Sequence, residues 1–158
     1  MGSGFNVKHG GIIRWSALLS SAETVNWLKG RVMMMDTVGQ LRVHDGSTPT
    51  ATNALATGIA MEARVVNQVS NTVTVFKTGA PTGDRYSMII DKAVILDDEI
   101  RSGINFEPGN LVYTDTAGRL TTSGNGTGPN SPKLGVALSQ GRSGDGARSL
   151  EFLFDVSY

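Results

Sequence analysis

Ile104-Asn105-Phe106-Glu107-Pro108-Gly109-Asn110-Leu111-Val112-Tyr113-Thr114-Asp115-Thr116-Ala117-Gly118-Arg119-Leu120 decides the fold, because the chain contains this pattern twice. Seventy-nine residues upstream stands Val25-Asn26-Trp27-Leu28-Lys29-Gly30-Arg31-Val32-Met33-Met34-Met35-Asp36-Thr37-Val38-Gly39-Gln40-Leu41. An apolar-Asn-aromatic triplet, a Gly, an apolar run, Asp-Thr-x-Gly and a Leu recur in the same order without a gap. Each copy reads as a turn, a buried strand and a tight hairpin. Pro108-Gly109 supplies a pre-set φ and a permissive residue, with Lys29-Gly30 in the same place in the first copy. Leu111-Val112-Tyr113 and Val32-Met33-Met34-Met35 are apolar runs of strand length. Asp-Thr-x-Gly then offers an Asx-type turn with a Gly able to take positive φ.

Outward from these copies the likeness loosens but continues. Gly58-Ile59-Ala60-Met61 matches Gly135-Val136-Ala137-Leu138, and each half is expected to end in an extended run, Thr72–Phe76 or Leu150–Phe154. Ala17-Leu18-Leu19-Ser20-Ser21 lies opposite Val94-Ile95-Leu96-Asp97-Asp98, which favours a strand there. Ser20 and Glu23, read alone, form a capping box that would open a helix. Alternation over Ile59 to Val65 predicts a half-buried strand, followed by a turn at Val69–Thr72 and a strand through Val73 and Val75. Tyr86 to Ile90 and Ala93 to Leu96 read as further strands. Thr121–Pro132 and Gly141–Gly146 are polar, Gly-rich surface loops.

These readings predict an all-β fold of two similar small β-modules, an internal duplication forming a sandwich or barrel-like body with long polar loops. The expected divisions are an N-terminal arm and first strand over 1–15, a first module over 16–79 and a second over 84–158. Gly79–Asp84 marks the boundary between the modules.

Composition agrees. Of 158 residues only 6% are aromatic and 18% charged, while 20 are Gly, a profile of short strands and many turns. With 14 acidic and 14 basic residues the formal charge is zero, so no nucleic-acid partner or charged membrane surface is implied. There are no cysteines, which excludes disulfides and thiolate metal sites. No apolar run approaches the roughly 20 residues that span a bilayer, Met1–Gly4 reads as a flexible end, and no signal peptide is expected.

No motif reads as a catalytic centre. An Asp-Thr in each half of a duplicated β protein resembles the aspartic proteases, where two carboxylates share a proton. That loop places Gly directly after the hydroxyl residue, whereas Asp36-Thr37-Val38-Gly39 and Asp115-Thr116-Ala117-Gly118 insert one residue, which makes them hairpin turns. His44-Asp45-Gly46-Ser47 holds the residue types of a nucleophile triad, but neighbours on a strand point to opposite faces, so a turn closed by Asp45-Gly46 is expected. His9 is a lone histidine. Asp97-Asp98-Glu99 lacks the spaced ligands of a calcium loop and reads as a solvated turn. Gly124–Gly128 has no Lys-Ser/Thr after it to hold phosphate. Met33-Met34-Met35 places adaptable side chains on both faces of a strand, ordinary for a core and suited to an interface if one face is bare. No metal and no cofactor are expected.

Two patterns resemble proteins of tailed-bacteriophage particles. Gly39-Gln40-Leu41-Arg42-Val43-His44-Asp45-Gly46-Ser47-Thr48-Pro49, preceded by Met35-Asp36-Thr37, resembles a β-hairpin motif of tail-fibre and other virion surface proteins, with Thr50-Ala51 where that motif has two glycines. The second half, from Pro108-Gly109 through Val112-Tyr113, Gly118 and Lys133–Leu138 to Leu150–Phe154, is similar to the small β-rich head decoration, or cement, proteins. The resemblance implies a non-enzymatic structural virion protein on the capsid surface, present in the host cytoplasm during assembly. It also implies a homotrimer whose partner is the major capsid protein. A tail-fibre or receptor-binding module is the alternative, although a fibre normally continues into repetitive shaft sequence. Apolarity and end position nominate Phe5, Val7, Ile12, Ile13, Phe152, Phe154 and Tyr158 as interface residues, with the two chain ends able to pair with a neighbouring sheet edge.

Overall fold

A computed structural model describes residues 5–10, 14–18, 27–35, 40–46, 57–61, 64–67, 72–75, 85–89, 92–122 and 133–156; the segments 14–18, 64–67, 72–75 and 85–89 are described by backbone alone. Every regular element among them is a strand: β1 (Asn6–Gly10), β2 (Arg14–Leu18), β3 (Val32–Met35), β4 (Leu41–Val43), β5 (Thr57–Ala60), β6 (Arg64–Asn67), β7 (Thr72–Val75), β8 (Arg85–Ile89), β9 (Ala93–Asp97), β10 (Asn105–Phe106), β11 (Leu111–Thr114), β12 (Leu120–Thr121), β13 (Gly135–Ala137), β14 (Gly141–Arg142) and β15 (Leu150–Phe154). The capping-box segment at Ser20–Glu23, the Asp36–Gly39 turn and the loop from 123 to 132 lie outside the described residues.

The repeat is visible in hydrogen-bond register. Of the four sheets among the described residues, one has the order β2-β8-β5-β3-β4 and another β1-β9-β15-β13-β11-β12, the other two are the pairs β10-β14 and β6-β7, and none is closed into a barrel. Val32 stands opposite Ile59 in the first sheet, as Leu111 stands opposite Val136 in the second. Met34 faces Arg42 as Tyr113 faces Thr121. The Gly30 N–H donates to the Ala60 carbonyl at 2.9 Å, and the Gly109 N–H to the Ala137 carbonyl at 2.8 Å. Both glycines sit in left-handed backbone, at φ 94° and 91°, where a side chain is disfavoured. Two copies of one sequence pattern therefore make the same turn and the same pairings, which is the structural signature of duplication.

A ribbon ties the copies together. β1 pairs with β9 and β2 with β8, both antiparallel, with a bulge between Val7 and His9. Gly10↔Ala93 and Arg14↔Ile89 lie four residues apart on each strand, so the two ladders share one register. The N-terminal segment thus crosses from the first sheet to the edge of the second. β8 pairs with β2 and β5 in the first sheet, so the division between the sheets falls after Ile89, beyond the 79–84 segment.

One expectation is corrected: the run Ile59–Val65 is broken at Met61 into β5 and β6. The expected strand through Val73 and Val75 is β7, and it pairs antiparallel with β6, while β8 stands beside β5.

The main core draws on both modules: Val32 and Ile59 join Ile95, Ile100, Phe106, Leu120, Phe152 and Phe154, all 6% exposed or less. Trp27, Met33, Leu41, Val43 and Ala60 form a second cluster inside the first module. β15 alternates buried and half-buried residues along its length, and each large apolar side chain it buries contributes about 1.5–3 kcal/mol. The Phe152 and Phe154 rings meet edge to face, with centroids 6.5 Å apart.

Candidate functional site

The structure buries charged groups at the seam between the modules, Arg31 and Asp97 among them. Arg31 follows the left-handed Gly30, so the turn aims its side chain out of the first sheet and into the second module. Its Nε and Nη2 reach one carboxylate oxygen of Glu99 at 2.8 and 2.7 Å, and Nη1 donates to the Ala117 carbonyl at 3.1 Å. The two side chains are only 9% and 12% exposed, so the pair is largely out of water. A backbone bond reinforces the seam: the Val32 N–H donates to the Gly118 carbonyl at 2.8 Å, while within the first module the His44 N–H donates to the Val32 carbonyl at 3.0 Å. Gly118 has φ 76°, and a Cβ there would stand 2.6 Å from the Val32 oxygen, so close approach and backbone conformation both demand glycine.

Asp97 ends β9 under this seam. It was expected to belong to a solvated turn with Asp98 and Glu99; instead it is fully buried, with Asp98 and Glu99 half-buried. One carboxylate oxygen accepts the Glu99 N–H at 3.0 Å, and the other has no hydrogen-bond partner. Burial holds its pKa well above the usual carboxylate value, with the nearby Glu99 and Asp98 adding to the shift and the Glu99 N–H and Arg31 opposing it. The correction has a simple cause: residues of the first module cover this turn, and no local pattern announces them. Arg31 was missed for the same reason, since in its own copy of the repeat it reads only as a polar turn residue.

The Asp-Thr-x-Gly of the second copy is the expected turn. Asp115 accepts the N–H groups of Ala117 and Arg119 through Oδ1 at 2.9 and 2.8 Å, an Asx arrangement that occupies the carboxylate with backbone. His44 is fully buried, and its Nδ1 accepts the Gly46 N–H at 2.9 Å, so the ring is neutral with its proton on Nε2. Nε2 has no partner, and burial lowers the pKa to about 4, partly opposed by Asp45. Among the described residues no group of three or more His, Cys, Asp or Glu is placed to hold a metal ion. Two adjoining clefts, of about 210 and 440 Å³, share Arg142, within the Gly141–Gly146 segment, and Arg148, which stands opposite it.

The nominated interface residues separate. Phe152 and Phe154 are fully buried on β15, a strand paired on both sides, so they close the second module and present no surface. Phe5 and Val7 are half-buried against the main core. Ile12, Ile13 and Tyr158 lie outside the described residues. The outer edge of β1 and β2, on the side away from β9 and β8, pairs with no strand among the described residues.

No protein-family model matches the chain, and no curated protein matches it.

Proposed function

We propose that the chain is a structural, non-enzymatic virion protein that binds the outside of a phage capsid as a homotrimer and stabilises the assembled shell. The observation that carries this reading is the N-terminal ribbon. It runs along the edge of both sheets, and its outer side, which pairs with no strand among the described residues, offers backbone groups by which one β protein adds to another. A turn-rich, cysteine-free body with buried titratable groups suits a role in adhesion. A protein that binds only the assembled shell stabilises it by mass action, with no chemistry required. The hairpin motif running from Asp36 into β4 favours a second reading, a tail-fibre or receptor-binding module of the virion surface.

Sedimentation with empty, expanded phage heads tests both. The protein is expected to pellet with heads and not with tails, and deletion of residues 1 to 12 is expected to abolish pelleting while the far-ultraviolet β spectrum persists. Unimpaired attachment of the truncated chain would sink the ribbon as the attachment element, and co-sedimentation with tails would transfer the assignment to the fibre reading.

A further inference from the structure

The chain contains the dipeptide Asp-Gly twice, at Asp45-Gly46 and at Asp145-Gly146. This dipeptide is open to a reaction of the backbone itself. The nitrogen that follows an aspartate can attack that residue's own side-chain carboxyl, and glycine, having no Cβ, leaves the approach unobstructed.

The structure treats the two sites in opposite ways. Gly46 is buried, and its N–H donates to Nδ1 of the fully buried His44 at 2.9 Å. Breaking that bond would leave a buried donor and a buried acceptor unpaired, so this turn opens rarely. Residues 144–148, in contrast, are all exposed. The Gly146 N–H donates to nothing, and the Asp145 carboxylate has neither a hydrogen bond nor an ion pair among the described residues. Only the base of the loop is tied down: Arg142 and Arg148 exchange backbone bonds of 2.9 Å in both directions, and Arg142 Nε donates to the Gly146 carbonyl at 2.8 Å. Those bonds leave the reacting nitrogen and the reacting carboxyl unengaged.

We propose that Asp145 is a site of spontaneous isoaspartate formation, a modification from which the fold protects Asp45. The Gly146 nitrogen bonds to Asp145 Cγ, the Cγ–O bond breaks, and the nitrogen's proton leaves with the carboxyl oxygen as water, closing a succinimide ring. Water then adds back to the main-chain carbonyl of the ring, whose bond to nitrogen breaks. Gly146 is now joined through Cγ, and Asp145 carries a free α-carboxylate. Composition is restored, so the mass is unchanged, but the main chain has gained the Asp145 Cβ between Arg142 and Arg148. Ser143, Gly144 and Ala147 line the wider of the two clefts, so its shape changes with the loop. Only water is consumed, and the reaction stands or falls separately from capsid attachment.

Trypsin separates the two sites into fragments 43–64 and 143–148, and Asn125-Gly126, outside the described residues, falls in a third, 120–133. The purified full chain is incubated at neutral pH for several weeks and digested, and the fragments are resolved by reversed-phase chromatography with mass detection. Fragment 143–148 is expected to split into two peaks of equal mass, the new one accepting a methyl group from an isoaspartyl methyltransferase. Fragment 43–64 is expected to change at least roughly tenfold more slowly, the factor that about 1.4 kcal/mol of local opening supplies. In urea that unfolds the chain the two rates should converge, and Asp145→Glu, whose longer side chain closes a ring far less readily, should keep fragment 143–148 a single peak. An unsplit 143–148 fragment from folded wild type, or equal rates at the two sites in the folded chain, overturns the proposal. A difference that persists undiminished in urea overturns it too, since the protection would then come from flanking sequence.

Discussion

Replacing Gly30 and Gly109 by alanine, one at a time, measures what the seam adds to a turn the chain contains twice. The two glycines occupy the same position in the repeat at φ 94° and 91°, so the backbone penalty for a side chain is the same at both. Left-handed conformation costs an ordinary residue about 1–2 kcal/mol. At Gly109 nothing lies within 4 Å of the new methyl group, so that penalty is the whole effect. At Gly30 the methyl group would collide with the carboxylate of Asp97, which is fully buried and has no room to retreat. Overpacking of this kind adds about 1–3 kcal/mol, which brings Gly30→Ala to about 2–5 kcal/mol in total. An unfolding entropy of about 2.1 cal/mol/K per residue converts these to falls in Tm of roughly 3–6 °C for Gly109→Ala and roughly 6–15 °C for Gly30→Ala. Calorimetry and urea titration with unchanged m-values would read both. Equal losses at the two sites, within about 0.5 kcal/mol, would refute the claim that Asp97 packs against the first module's turn. Adding Asp97→Ala to Gly30→Ala should recover most of the excess.

Two further outcomes follow from the seam and its neighbour. Arg31→Met should destabilise by about 3–5 kcal/mol because it strands the Glu99 carboxylate out of water, while Arg31→Met with Glu99→Gln should recover much of that; a single-variant loss below about 1 kcal/mol would show the pair to be solvated. His44 has a folded pKa of about 4 against 6.5 unfolded, so the unfolded chain takes up the proton first as pH falls. Its contribution is complete above pH 6.5 and is lost as pH falls toward 4, by roughly 3 kcal/mol at the limit. Urea midpoints of wild type should fall across that window, and His44→Gln should flatten the profile; an unchanged slope in the variant would assign the acid sensitivity elsewhere.

Much of the architecture was legible from residue order. Turn glycines, the Asx turn at Asp115 and the apolar runs are local features, set by φ preference, side-chain-to-backbone hydrogen bonds and alternation within a few residues. Because the chain carries those features twice in the same order, the sequence by itself determined an all-β duplication with the same hairpins in each half. Other choices were invisible to it. Whether β7 or β8 would stand beside β5, whether Asp97 would be wet or buried, and whether Phe154 would face a partner or a core each depended on residues far away in sequence. Local patterning specifies which face of a strand is apolar and says nothing about what arrives to cover it. Only the tertiary structure placed Arg31 against Glu99, covered Val32 and Ile59 with the second module, and left Leu111 in the equivalent place exposed. The asymmetry between two nearly equivalent halves is a property of packing, since burial belongs to a pair of surfaces and each copy of the repeat encodes only one of them.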